Sequence, residues 1–121
     1  MILESLPTRK DVDWTFTDDG NVIIFQEKHL GRFERIIAEL FRAPKIVRRT
    51  LDEMNSELWM LMDGENSLLE IISAMDDRFA ESIAPVSERV AKSISLFVEQ
   101  GLVAIIFDQE EVIWNTQPKE D

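Results

Sequence analysis

Side chains able to do chemistry are scarce in this sequence, and their scarcity excludes most reaction classes. There is no cysteine, which excludes disulfides, thiolate zinc sites, iron–sulfur ligation and cysteine nucleophiles together, because each needs a sulfur atom. His29 is the only histidine. Without a second imidazole it cannot anchor a typical zinc site, and no serine or cysteine motif surrounds it to make it a general base. Asp76-Asp77 and the run Asp108 to Glu111 lack the alternating oxygen ligands and central glycine of a calcium loop, and they read as solvated charge. No glycine-rich phosphate loop or paired-carboxylate motif is present. The sequence therefore assigns no catalytic residue, no metal ligand and no cofactor, and the expected mode of action is binding.

Charge narrows what could be bound. The formal net charge of -11 opposes nucleic acid, whose phosphates require a basic face before any base can be read. The balance is uneven, however. Lys28 to Arg49 holds seven basic residues (Lys28, Arg32, Arg35, Arg42, Lys45, Arg48 and Arg49) against Glu34 and Glu39, so this stretch carries +5 and the remainder -16. No segment approaches the roughly 18 apolar residues needed to cross a bilayer. Met1 to Pro7 has neither a basic region nor a long apolar run, so a cytoplasmic protein without membrane contact is expected.

The elements that would position these residues follow from periodicity. At 121 residues one domain is expected, with 1–51 holding strands and an inserted basic helix and 52–116 a helical body and wing. Val12, Trp14 and Phe16 alternate with polar residues as in a half-buried strand, and Asp18 to Asn21 supplies a hairpin turn into a second strand, Asn21 to Gln26. Leu30, Phe33, Ile37, Leu40 and Phe41 have helical spacing, with Lys28, Arg32, Arg35 and Arg42 on another face, and Pro44 stops that helix. Lys45 to Leu51 reads as a third strand.

Three helices are expected next. Asp52 is the expected N-cap of the first, and Gly64 its left-handed C-terminal residue. Ser67-Leu68-Leu69-Glu70 is a capping box opening the second. Pro85 opens the third, which carries Val86, Val90, Ile94 and Phe97 and ends at Gly101. Leu102 to Phe107 and Val112 to Trp114 then read as the two strands of a wing. Trp14, Trp59 and Trp114 are expected to be packed, each indole N–H with a partner. The expected fold is α+β: a winged-helix-like three-helix body with an N-terminal three-stranded sheet and a C-terminal wing hairpin.

Several of these residues carry a family resemblance. Leu51-Asp52-Glu53, Ser56 with Trp59, Asp63-Gly64, Leu69-Glu70-Ile71-Ile72, Arg78-Phe79, Val86 to Val90 and Gly101-Leu102-Val103 are together similar to the PqqD-like family, named for the D component of pyrroloquinoline quinone biosynthesis. The resemblance spans Leu51 to Val103, with a looser echo in the N-terminal hairpin. It implies a winged-helix peptide recognition element, which binds the leader of a ribosomally synthesised precursor peptide and presents it to a modifying enzyme, often of the radical S-adenosylmethionine type. The leader would add as a strand to the third strand, against the last helix. The basic helix, inserted between the second and third strands, departs from the shortest members.

On that resemblance the peptide-binding residues are Lys45, Ile46, Val47, Arg48, Arg49 and Thr50 on the strand. On the last helix, Arg89, Lys92, Ser93, Leu96 and Gln100 fall along one flank of the core stripe, where Leu96 could form an apolar floor between basic walls. By charge, the basic row Lys28, Arg32, Arg35 and Arg42 could contact an acidic leader or dock the partner enzyme. A homodimer is compatible with the same reading. Two rival functions share the fold: a transcription regulator, opposed by the acidic Asp108, Glu110 and Glu111 of the wing, and a structural subunit of a larger complex.

Overall fold

The computed structural model describes residues 2–27 and 46–119. The expected basic helix Leu30 to Arg42 and its cations Lys28, Arg32, Arg35 and Arg42, together with His29 and Lys45, lie outside the described residues. Five strands, β1 (Leu6–Arg9), β2 (Asp13–Phe16), β3 (Val22–Glu27), β4 (Ile46–Thr50) and β5 (Val103–Ile106), accompany three helices, α1 (Glu53–Leu61), α2 (Leu68–Phe79) and α3 (Val86–Glu99). The fold is α+β, as the alternation of period 2 and period 3.6 in the sequence requires.

Two antiparallel sheets form. One has the order β2-β3-β4 and the other pairs β1 with β5. The turn after β2 closes with Thr17 N–H donating to Asn21 O at 2.7 Å, and Gly20 sits at φ 84°, a backbone geometry that an L side chain resists. Trp14, Val22 and Ile24 from the first sheet join Leu58, Trp59, Ile71, Met75, Val90, Ile94 and Phe97 of the helices in one hydrophobic core. Trp59 is its aromatic hinge, meeting Trp14 at 6.0 Å and Phe97 at 5.6 Å between ring centroids, both edge to face, the arrangement that aromatic quadrupoles favour.

Helices α1 and α2 begin where their side-chain caps dictate, while α3 follows Pro85, which makes no side-chain cap. Asp52 accepts from Asn55 N–H at 2.7 Å to start α1. Ser67 and Glu70 form the reciprocal capping box of α2, at 3.1 and 3.0 Å, contributing about 1 kcal/mol by satisfying otherwise orphaned N–H groups. Helix α3 ends in a Schellman motif: Gly101 N–H reaches Val98 O, Leu102 N–H reaches Phe97 O, and Gly101 adopts φ 74°. Gly64, also at positive φ, lies two residues beyond Met62, the C-cap of α1. It serves the Asp63 turn and not the helix end itself.

The wing is where the structure departs most from expectation. Val112 to Trp114 forms no strand, and β5 pairs with β1 from Leu6↔Ile106 to Arg9↔Val103. Glu111 supplies the reason. Its carboxylate accepts from the N–H groups of both Phe107 and Asp108, at 2.9 and 3.1 Å. That contact winds Gln109–Glu111 into a 3-10 turn, which sends the chain away from β5. β1 itself carries no alternating pattern and includes a proline, so periodicity gives no sign of it. Among the described residues, no helix is long and apolar enough to cross a membrane.

The segment that follows closes over the rest of the fold. Trp114 Nε1–H donates to Arg9 O at 2.6 Å, Trp14 Nε1–H to Thr116 O at 3.1 Å, and Lys119 N–H to Trp14 O at 2.6 Å. Trp59 differs from the other two tryptophans: its buried indole N–H has no hydrogen-bond partner among the described residues. Arg9, 3% exposed, lies beneath this segment. Its guanidinium donates to Trp59 O at 2.8 Å, Met60 O at 3.0 Å and Thr116 O at 3.0 Å, and lies 5.0 Å from the Trp14 ring centroid. Two of those carbonyls end α1, where a cation also complements the helix dipole. Burial pushes the Arg9 pKa down, against the upward pull of Asp63.

Candidate functional site

The two edges of the β2-β3-β4 sheet differ. The β2 edge is engaged by the chain's own C-terminal segment through the Lys119–Trp14 hydrogen bond. The β4 edge has no strand beside it among the described residues, and all five of its residues are exposed. An edge strand offers a row of N–H and C=O groups that can pair with another extended chain.

Ladder parity shows which groups are offered. Leu51 N–H donates to Val22 O at 2.8 Å, and Ile23↔Thr50 and Ile24↔Arg49 fix the register. Hydrogen-bonded pairs alternate along an antiparallel ladder, so Val47 and Arg49 also turn their backbone groups toward β3. Ile46, Arg48 and Thr50 turn theirs outward. Ser56 holds the end of this ladder against α1, its hydroxyl accepting from Val22 N–H at 2.9 Å and donating to Leu51 O at 3.3 Å.

Side chains alternate in the same way. Leu51 is buried against the core, so Val47 and Arg49 share its face, toward α3. The contacts agree: Arg49 hydrogen-bonds the Gln100 side chain, and Gln26 Nε2 donates to Gln100 O at 3.0 Å. Between β4, α1 and α3 lies a groove of about 200 Å³ whose apolar lining is Leu51, Leu96 and Phe97 and whose polar rim is Arg49, Asn55, Ser93 and Gln100. Leu96 is 46% exposed, an apolar group left half uncovered beside a concavity. The opposite face carries Ile46, Arg48 and Thr50, with the Arg48 guanidinium 5.8 Å from the Phe25 ring centroid.

The fold thus brings Arg49, Ser93, Leu96 and Gln100 together around the groove and sets Ile46, Val47, Arg48 and Thr50 along the strand beside it. Arg89 and Lys92 are exposed on α3 but do not line the groove, so its basic wall is Arg49. Asn55, Leu51 and Phe97 complete the lining. In the sequence Phe97 belongs to the core stripe of the last helix and Leu51 ends the third strand, and only the approach of α1 to α3 turns them, with Asn55, to one cavity.

A second cleft, about 410 Å³, lies between the β2–β3 turn, α1 and α2, with Phe16, Met60, Glu53, Glu57 and Arg78 on its walls. Arg78 stands 3.6 Å from Glu53 and 3.7 Å from Glu57, distances that make weak, solvent-screened pairs. Among the described residues no group of three or more metal-capable side chains converges.

No family model, curated protein or solved structure matches this chain.

Proposed function

We propose that this chain is a non-catalytic peptide-binding protein of the PqqD-like kind, which takes an extended leader segment of a ribosomally synthesised precursor as an added strand on β4. It presents that segment to a modifying enzyme, of radical S-adenosylmethionine type in the family it resembles, in the cytoplasm. The observation that carries this reading is the exposed β4 edge lying directly beside an apolar-floored groove. The edge supplies sequence-independent main-chain pairing, and the groove supplies a pocket for alternate side chains, the two components of strand-addition recognition. An acidic surface with a chemistry-poor sequence supports binding of a peptide over turnover or nucleic-acid contact.

The test is selection of displayed heptapeptides on the intact protein, followed by amide chemical-shift mapping with an enriched peptide. Shifts concentrated at Ile46, Arg48, Thr50 and Leu96 are expected, with binding lost in Arg48→Pro. Enriched peptides that bind Arg48→Pro as well as they bind the parent chain would overturn the proposal.

A further inference from the structure

We infer that the β4 edge selects an extended segment of alternating character, with an aspartate or glutamate opposite Arg48 and apolar residues on either side of it directed into the groove beside Leu96. This inference rests on the strand-addition reading and adds the chemistry of the partner. The two faces of β4 are unlike. Paired residues on adjacent strands place their side chains on the same face. A residue opposite Arg48 therefore lands on the face away from the helices. There the Arg48 guanidinium lies 5.8 Å from the Phe25 ring centroid, while Lys119 Nζ, 5.9 Å from the same ring, is 3.9 Å from the Asp13 carboxylate of β2.

The neighbours of that residue, one step along the incoming strand, turn to the other face. They meet Leu51, Leu96 and Phe97 in the groove. A period-2 strand presented to β4 thus meets Arg48 on one face and, on the other, an apolar floor rimmed by Arg49.

Charge favours the same partner. The chain carries -11 overall, so an acidic segment is repelled by most of the surface, while the adjacent Arg48 and Arg49 make β4 locally basic. Complementary potentials steer association and reject wrong partners. The same two arginines disfavour a second copy at this edge. Antiparallel self-pairing centred on Arg48 or on Arg49 sets like charges directly opposite each other, which destabilises the pair.

The experiment uses the intact chain and three fluorescein-labelled peptides flanked by Gly-Ser: one alternating Leu and Asp, one alternating Leu and Lys, and one with the leucines and aspartates in separate blocks. Anisotropy gives affinities, and amide shifts of Ile46, Arg48 and Thr50 locate binding. The Leu-Asp alternating peptide is expected to bind about tenfold more tightly than either of the others. In Arg48→Glu, its affinity should fall by about fivefold while that of the lysine peptide rises. Arg48→Gln, which removes the charge without reversing it, should fall between the two.

Equal binding of the aspartate and lysine alternating peptides, with shifts at all three amides, would overturn the acidic preference and leave strand addition standing. Equal binding of the blocked peptide would overturn the alternation. If no peptide shifts those amides, strand addition at β4 itself fails, and the inference fails with it.

Discussion

Proline substitution along β4 separates the two orientations of its backbone. At Arg48 the N–H faces outward, so proline removes a donor that β3 does not use, and edge positions of this kind are where strands tolerate proline. At Arg49 the N–H belongs to the ladder with Ile24, a residue with no exposed surface. Proline there strands the Ile24 carbonyl at the margin of the core, which costs about 1–3 kcal/mol for an unsatisfied buried acceptor.

Each proline variant is to be compared with alanine at the same position, which cancels loss of the guanidinium and, at Arg49, of its contact with Gln100. In a domain of this size 1 kcal/mol moves the thermal midpoint by about 4 °C. Arg49→Pro should therefore melt about 4–12 °C below Arg49→Ala, and Arg48→Pro within about 4 °C of Arg48→Ala. Circular dichroism gives the midpoints. Amide hydrogen exchange of the parent chain checks the assignment directly, with Val47, Arg49 and Leu51 protected and Ile46, Arg48 and Thr50 exchanging fast. Equal penalties at the two sites, or protection at Arg48, would refute the ladder parity and with it the outward-facing groups of β4.

Two further outcomes follow from the packing. Arg9→Met should lower stability by on the order of 3 kcal/mol in urea unfolding, because the carbonyls of Trp59, Met60 and Thr116 lose their shared donor in a buried place; a loss under 1 kcal/mol would mean that water replaces the guanidinium at no large cost. Gly101→Ala and Gly64→Ala both force alanine to positive φ, worth about 1 kcal/mol, but only at Gly64 would the new Cβ press on Thr8 Cγ2 at 3.2 Å and Val112 Cγ2 at 3.3 Å. Gly64→Ala should therefore be the more destabilising of the two by urea midpoint, and the reverse order would show that the Thr8 and Val112 side chains move aside freely.

Much of the local structure is legible in the sequence alone. Trp14 and Phe16 mark their strand by alternation, and Asp18 to Asn21 mark the turn, because both signals are carried by residues adjacent in the chain. Asp52, the Ser67–Glu70 box and Gly101 mark helix ends for the same reason, since a cap reaches only three or four residues. The strand at Ile46–Thr50 was legible too, as was the flank of α3 that carries Ser93 and Leu96. What failed was pairing. Leu102 to Phe107 read correctly as a strand, yet its neighbour Val112 to Trp114 was the wrong partner. A loop without glycine closes into a tight hairpin poorly, and Glu111 instead uses its carboxylate to wind the loop and release the chain.

The sequence by itself determined the composition of the site: an inventory poor in catalytic groups, an acidic body with a basic stretch, and the periodicities that make a helix of Val86–Glu99 and a strand of Ile46–Thr50. Tertiary structure alone decided that β1 takes the edge of β5, and that a C-terminal segment hydrogen-bonds the edge of β2. It also decided that Arg9, which no motif in the sequence marks, is the buried donor joining the end of α1 to that segment. It set Asn55 and Phe97 beside Leu96 to make the groove. The reason is physical. Periodicity and capping report interactions between residues a few positions apart, whereas Arg9 meets Thr116 and Arg49 meets Gln100 only after the core has fixed where each element lies.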